Sequence, residues 1–489
     1  MASEDRLRQE RIKKISELRE AGIEPYPYRY EQTHHATDIL EKHGKLKPET
    51  TTKDVVSVAG RVVLLRKMGK ATFGHVQDES GRIQFYARED ELGEAYTAIR
   101  KLDLGDWLGV KGEVFTTKSG EVTVRAREAV MLCKAVRPLP EKHHGLKDVE
   151  TRYRKRHLDL IANPKVRDTF RARAEIIRAM RRYLDKRGFL EVETPTLQPV
   201  YGGASARPFI THHNALKQDL YLRISDELYL KRLLVGGFER VYEICKDFRN
   251  EGVDTSHNPE FTMLEWYMAY GDYETGMQMF EEIIAEAAQA SVGTTKLTYQ
   301  GKKLDLTPPW KRARMTDLIK EHAGIDVLTK SLEELRSFCD EHNIAYEQRD
   351  AWGVLVGHIF EEFCEQHLFQ PTFVIDHPIE TTPLCKPLRD GDTRFVERFE
   401  PFIAGMEVGN AYSELNDPLL QRKLFEDQHE LKMVGDEEAH PMDEDFLEAI
   451  EQGMPPTSGV GIGVDRIAMI LTDSPSIRDV ILFPALRPE

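Results

Sequence analysis

Cysteine is scarce in this sequence, with five residues in 489 and no Cys-x-x-Cys spacing. That excludes a disulfide-stapled scaffold and a thiolate zinc site. Cys133, Cys245, Cys339, Cys364 and Cys385 are expected as reduced thiols packed like small hydrophobes. Long apolar runs are absent too: no stretch reaches the roughly 18 residues that a membrane-spanning helix needs. The charged start, MASEDRLRQERIKKISELRE, lacks the apolar core of a signal peptide, so a cytoplasmic location is expected. The phosphate loops G-x-x-x-x-G-K-[ST] and G-x-G-x-x-G are missing. Three histidine pairs, His34-His35, His143-His144 and His212-His213, have no cysteine or carboxylate at ligand spacing and read as loop or surface residues.

What is present is an ordinary globular mixture, 40% apolar and 31% charged, in a chain long enough for two or more domains. A net charge of −15 argues against indiscriminate polyanion binding, yet charge is unevenly spread. GRVVLLRKMGK (60–70) and TRYRKRH (151–157) are basic, whereas acid collects in GDEEAHPMDEDFLE (435–448). Local basic patches are compatible with transient contact with a large polyanion.

Residues 1–54 read as a helical N-terminal extension. From 55 to about 135, β-branched runs are broken by Asp-Glu-Ser-Gly and Lys-Ser-Gly turns, the pattern of hairpins in a small five-stranded barrel of the OB type. This domain is bounded at 145, and RPLPEKHHGLKDVE (137–150) serves as a linker into a domain of residues 150–489. There VRDTFRARAEIIRAMRRYLDKRGF predicts a helix with Phe170, Ile177, Met180 and Leu184 as its apolar stripe and Gly188 as its stop. Residues 274–370 have mostly helical periodicity and read as an insertion. The fold class is therefore α+β.

Three constellations carry chemistry. FLEVETPTLQPVYGGASARPF (189–209) holds Gly202 and Gly203, which let backbone approach a ligand. In FERVYEICKDFRNEGVDTSHNPEFTMLEWYMAY (238–270) two alternating strands flank a polar loop. Strand parity groups Arg249 with Glu251, and Phe261 with Glu265 and Tyr267, so an aromatic plate, a carboxylate and an arginine converge. Arginine neutralises phosphate and a phenyl ring stacks on a base, so a nucleotide suits this hairpin, with His257 beside it. TSGVGIGVDRIAMIL (457–471) clears one strand face with Gly459, Gly461 and Gly463 before Arg466 opens a helix, a seat for phosphate. Between the last two, RFEPFIAGMEVGNAYSELNDP (398–418) puts Asn410, Tyr412 and Glu414 on one face. It also supplies Glu400 and Glu407, carboxylates suited to Mg2+ on a polyphosphate. Glu407 has the wrong parity unless Gly409 makes a bulge or the turn at Gly405 reorients it.

These three constellations, in this order, resemble the three motifs of class II aminoacyl-tRNA synthetases. GGASARPF, HNPEF and GNAYSELND are most similar to the bacterial-type, subclass b lysyl-tRNA synthetases, across nearly the whole chain. The resemblance implies an antiparallel catalytic sheet flanked by helices, an anticodon-binding OB barrel and a homodimer formed through the first motif. It also implies that lysine and ATP give lysyl-adenylate and pyrophosphate, after which lysine passes to the terminal ribose of lysine tRNA. Arg249 is then expected at the α-phosphate and Arg466 at the γ-phosphate. His257 and Asn258 line the phosphate and adenine region, Phe261 stacks on adenine and Glu251 reads its amino group. Glu400 and Glu407 become the Mg2+ ligands. Glu414 and Tyr267 resemble the partners of the substrate's side-chain ammonium, and Glu227 with Gly203 lies on its α-ammonium side. Asn410 and Tyr412 line the pocket, and Glu265 faces the lysine or supports the groups that do. In the barrel, Phe73 matches the aromatic under the central anticodon base, with Arg66 and Gln84 as polar readers. Spacing alone leaves open that Phe73 belongs to the barrel core. Cys385 in TTPLCKPLRDG departs from the family's more usual alanine without touching these residues. Aspartyl- and asparaginyl-tRNA synthetases share the architecture, but Glu414 with Tyr267 is wrong for an aspartate pocket. A nucleic-acid-binding module with an inactive core would have no use for Arg249, Arg466, Glu400 and Glu407.

Overall fold

The computed structural model describes residues 2–139, 146–433 and 440–488. His143-His144 with the rest of linker residues 140–145, and the first part of the acidic run at 435–448, lie outside the described residues. The chain forms two compact units, Met1–Gly145 and Leu146–Glu489.

In the first unit, β1 (Thr51–Met68), β2 (Ala71–Gln77), β3 (Arg82–Arg88), β4 (Trp107–Thr116) and β5 (Val122–Cys133) close into a barrel in the order β1-β2-β3-β5-β4. One long strand makes closure possible. Residues 61–68 of β1 pair with β2, residues 51–61 pair with β4, and a register shift between Val62 and Leu64 bends the strand. Alternation buries Thr72, Gly74 and Val76 and turns Phe73 and His75 outward. The N-terminal segment is not a separate extension. Leu18 from the helix Ala2–Glu20 belongs to the barrel's core cluster, and Arg11 donates to the carbonyls of Ala135 and Arg137.

The strands of the second unit are β6 (Leu190–Glu191), β7 (Leu197–Gln198), β8 (Ile210–His213), β9 (Gln218–Leu222), β10 (Arg240–Phe248), β11 (Glu260–Ala269), β12 (Lys296–Tyr299), β13 (Lys302–Asp305), β14 (Lys311–Arg314), β15 (Thr372–Pro378), β16 (Phe395–Ile403), β17 (Met406–Glu407), β18 (Gly409–Ser413) and β19 (Thr457–Gly463). A nine-stranded sheet runs β14-β15-β16-β18-β19-β11-β10-β6, with β17 paired to β16; its central pairs are antiparallel and only the edge pairs β14–β15 and β10–β6 are parallel.

One face of this sheet is apolar. Leu264, Trp266, Val460, Ile462, Phe399 and Ala411 pack against the helices Pro164–Asp185, Tyr273–Val292 and Val464–Leu471. The first helix buries Ile176, Ala179, Met180, Tyr183 and Leu184. Its stripe is thus rotated from the sequence expectation: Phe170 and Ile177 are only half-buried, and the Arg156 guanidinium lies 5.4 Å from the Phe170 ring. Of the basic residues in TRYRKRH, Arg156 is withdrawn from any polyanion contact. It is fully buried, pairs with Asp159 at 2.7 Å and donates to the carbonyls of Arg478, Ile481 and Leu482. Residues 274–370 are likewise not a detachable helical insertion. The helix Tyr273–Val292 covers the sheet and β14 is its edge strand, while a separate helical cluster holds Leu318, Leu335, Leu355 and Ile359.

Candidate active site

The opposite face of the same sheet is polar because of strand parity. Pairing aligns Glu265 with Gly461 and Tyr267 with Gly459 across β11 and β19, and Asn410 with Gly461 and Tyr412 with Gly459 across β18 and β19. Side chains opposite one another share a face, so two glycines lie beneath two converging rows of polar groups. A Cβ on Gly459 would stand 1.9 Å from Glu414 Oε1 and 2.4 Å from the Tyr267 ring. Glycine is required there by space. The result is a cavity of about 430 Å³.

At one end of the cavity carboxylates predominate. Tyr412 donates its hydroxyl hydrogen to Glu227 at 2.6 Å, and Tyr267 donates to Glu265 at 2.9 Å. Ser225 donates to the other Glu265 oxygen at 3.1 Å. Gly203, at φ +86°, closes over this end; a Cβ would meet Ser225 Oγ at 2.7 Å. Burial, then repulsion from Asp247, pushes the Glu265 carboxyl up to about 7. Glu414, expected as a free partner for a ligand ammonium, already has one: the Lys231 ammonium is in ion contact with both Glu414 and Glu227 and is fully buried. Burial opposes the Lys231 charge, but those two carboxylates outweigh it and hold the ammonium above the usual lysine range. Lys231 was missed in the sequence, although its place four residues after Glu227 on the helix Glu227–Val235 is the spacing of a helical ion pair.

The other end is cationic and aromatic. Arg249 and Glu251 lie in the loop beyond β10, which ends at Phe248, so loop geometry rather than strand parity places them. The Arg249 guanidinium sits 5.1 Å from the Phe261 ring centre, and its buried Nε has no hydrogen-bond partner among the described residues. Arg466 donates to the Glu407 carbonyl at 2.6 Å and lies 3.1 Å from His257 Nε2. With the Asp254 carboxylate 2.9 Å from Nδ1, His257 carries its proton on Nδ1 and accepts from Arg466. Glu251, His257 and Asn258 all line the cavity. The Asn258 amide, however, is engaged by the chain: it donates to the Glu260 carbonyl and accepts from Ala485 N–H at 3.0 Å, so it shapes the loop.

Glu400 and Glu407 come together between these ends. The hairpin turn at Ala404 and Gly405, both with positive φ, reverses the chain and sets Glu407 opposite Phe402, on the Glu400 face. That resolves the parity conflict through the turn. Burial raises both carboxyls, and Glu400 pushes Glu407 further. Two oxygen donors whose charges repel one another fit a hard divalent cation. Arg398, also missed, organises the neighbourhood by donating to Asn410 at 2.9 Å and to Glu400 at 2.6 Å.

In the first unit, Phe73 is outside the core. It stacks on Tyr86 with ring centres 4.4 Å apart, and Tyr86 meets Phe115 edge-on at 6.1 Å. Arg66 is directly opposite Phe73 on β1 and exposed. Gln84 is tied down, donating to Glu121 at 2.7 Å and accepting from Thr123 at 2.8 Å. Tyr86 and Phe115 were not singled out in the sequence, where outward aromatics cannot be told from core ones until register is known.

The five cysteines are unpaired, four of them buried, and no described helix is long and apolar enough to cross a membrane. Residues 148–487 match the family described as tRNA synthetases class II (D, K and N), and residues 56–132 match the OB-fold nucleic acid binding domain. Among curated relatives, a lysine–tRNA ligase of Moorella thermoacetica is 53% identical, over 100% of this chain and 99% of its own. Lysine–tRNA ligases of Pelotomaculum thermopropionicum and Enterococcus faecalis are 54% and 51% identical, each over 98% of this chain and over 94% and 96% of their own. With the sheet, the barrel and full-length identity in agreement, the chain belongs to the class II tRNA synthetases, in the lysine–tRNA ligase family.

Proposed function

We propose that this chain activates L-lysine with ATP as lysyl-adenylate, releases pyrophosphate, and transfers the lysyl group to the 3′ end of lysine tRNA. The observation that carries the reading is the charge balance of the carboxylate end. Glu227 and Glu265 line the cavity and Glu414 is buried just behind Gly459, while the one resident ammonium, Lys231, pairs with Glu227 and Glu414 and leaves Glu265 without a cation, so the site is short of positive charge. A lysine ligand brings two ammonium groups, each needing an anionic or acceptor partner to offset desolvation. Aspartate or asparagine would meet carboxylates with a carboxylate or an amide.

The lysine carboxylate is already nucleophilic, so the first step calls for placement and charge neutralisation rather than a base. Arg249, with its unpartnered Nε and Phe261 beneath it, suits the α-phosphate and the adenine ring respectively. Arg466, held by Glu407 and His257, suits the far end of the triphosphate. Glu251 is assigned to the adenine amino group, and His257 and Asn258 shape the loop that closes on it. Glu400 and Glu407 would hold Mg2+, which supplies charge neutralisation on the polyphosphate when bound. Phe73 with Tyr86 and Arg66 forms the barrel's stacking face for an unpaired anticodon base. A cytoplasmic homodimer is part of the same reading, checked by sedimentation.

The test is ATP–pyrophosphate exchange with Mg2+ across all twenty amino acids. Exchange with lysine alone is expected. Exchange with aspartate or asparagine would overturn the pocket assignment and leave the fold. No exchange with any amino acid would favour a binding module.

A further inference from the structure

Behind Glu265, away from the cavity, lies a second carboxylate that the activation chemistry does not use. Asp226 occupies the N-cap of the helix Glu227–Val235, yet its side chain makes no cap hydrogen bond. It is fully buried, and among the described residues neither carboxylate oxygen has a hydrogen-bond donor. Its carboxyl instead clusters with two others: oxygens of Asp226, Asp247 and Glu265 all lie within 4.8 Å of one another.

We propose that Asp226 is a positioning residue that keeps its proton and donates it to Glu265, so that the pair carries one negative charge and that charge is fixed on the carboxylate facing the cavity. The surroundings decide which group holds the proton. Glu265 accepts from Ser225 and Tyr267, which stabilise its charged form. Asp247 has Arg223 Nε at 3.4 Å. Glu243, also on β10, takes Arg223 at 2.7 Å. Asp226 alone has no donor, and a carboxyl without donors is stabilised by becoming one. Burial and the repulsion of Glu265, Asp247 and Glu243 act in the same direction. The neighbouring Cys245 thiol is held neutral by burial and adds no charge.

The inference rests on Glu265 belonging to the lysine site, but its first test does not. In wild-type enzyme without substrate, at about pH 7.5, infrared spectra should contain a protonated-acid carbonyl band that shifts when aspartate is labelled with 13C at the side-chain carboxyl and disappears in D226N. Should D226N fail to fold, the same labelled band must persist in D247N. A spectrum with no labelled acid band, or a divalent metal that copurifies one-to-one with wild type and is lost in D226N, overturns the proposal. The second test is kinetic. D226L should raise the lysine KM about tenfold, the size of one hydrogen bond to a charged group, with a smaller effect on kcat. D226N, which can still donate, should restore most of that loss. Equal damage from D226N and D226L would mean that negative charge at 226 is required, which also overturns it. If wild type activates no lysine while the labelled band is present, the pocket reading fails and the shared proton stands.

Discussion

Lys231 and Glu414 form an ion pair in which neither side chain has any exposed area. Removing one partner of such a pair leaves an uncompensated buried charge, at a cost of about 3–5 kcal/mol. In K231M, Glu227 and Glu414 would face each other without their cation. The expected outcome is a clear loss of thermal stability in the free enzyme. Saturating lysine should then raise the melting temperature more in K231M than in wild type, because the ligand supplies the missing positive charge. Calorimetric melts with and without lysine check this; an unchanged lysine-induced shift would remove Lys231 from the pocket's charge balance.

Gly459 offers a test by volume alone. Its missing Cβ leaves the space held by Glu414 Oε1 and the Tyr267 ring. G459A should therefore displace both, costing about 1–3 kcal/mol of stability by overpacking. Lysine affinity should fall far more than ATP affinity, since neither group touches the Arg249–Phe261 end. Parallel KM determinations for the two substrates separate the effects.

How much of this was legible beforehand depends on periodicity. The residue sets Phe261-Glu265-Tyr267, Asn410-Tyr412-Glu414 and Gly459-Gly461-Gly463 were assembled correctly because each lies on or directly beside a strand, where alternate residues share a face. Parity failed where strands end. Arg249 and Glu251 sit past Phe248, and Glu407 reaches the Glu400 face only through the turn at Ala404-Gly405. Lys231 escaped for another reason: its spacing from Glu227 fits an ordinary surface pair, its other partner, Glu414, is 183 positions away in sequence, and a lysine on an amphipathic helix ordinarily points to water. Residues 274–370 misled because helical periodicity is the same whether a helix covers a sheet or stands apart; the edge strand β14, four residues long, gave too short a pattern.

Phe261 and Arg249 stack face to cation. Truncation in F261A should remove the ring under the nucleotide base and loosen Arg249. Stacking of a base on an aromatic contributes about 1–3 kcal/mol, so the KM for ATP is expected to rise about tenfold or more. The KM for lysine should stay within about twofold, because Phe261 lies at the opposite end of β11 from Tyr267. Exchange assays at varied ATP and varied lysine decide it. A lysine-specific defect instead would reverse the assignment of the two ends.

Acid–base behaviour follows from Glu265, whose carboxyl is pushed up to about 7, and Asp247, pushed up to about 6, both chiefly by burial. A carboxyl raised on folding binds more protons in the native than in the unfolded state. Its stabilising contribution is present in full below the unfolded value and is lost as pH rises through the folded one. For Glu265 that window runs from 4.5 to about 7 and amounts to at most about 3 kcal/mol. The free enzyme should therefore lose stability between these limits, and E265Q should flatten the slope. Lysine binding has the opposite dependence, since an ammonium prefers the ionised carboxylate: the KM for lysine should fall as pH rises through about 7, and E265Q should abolish that fall. A wild-type lysine KM that is flat across this range would show that Glu265 is ionised throughout and that its neighbours, rather than its titration, set the affinity.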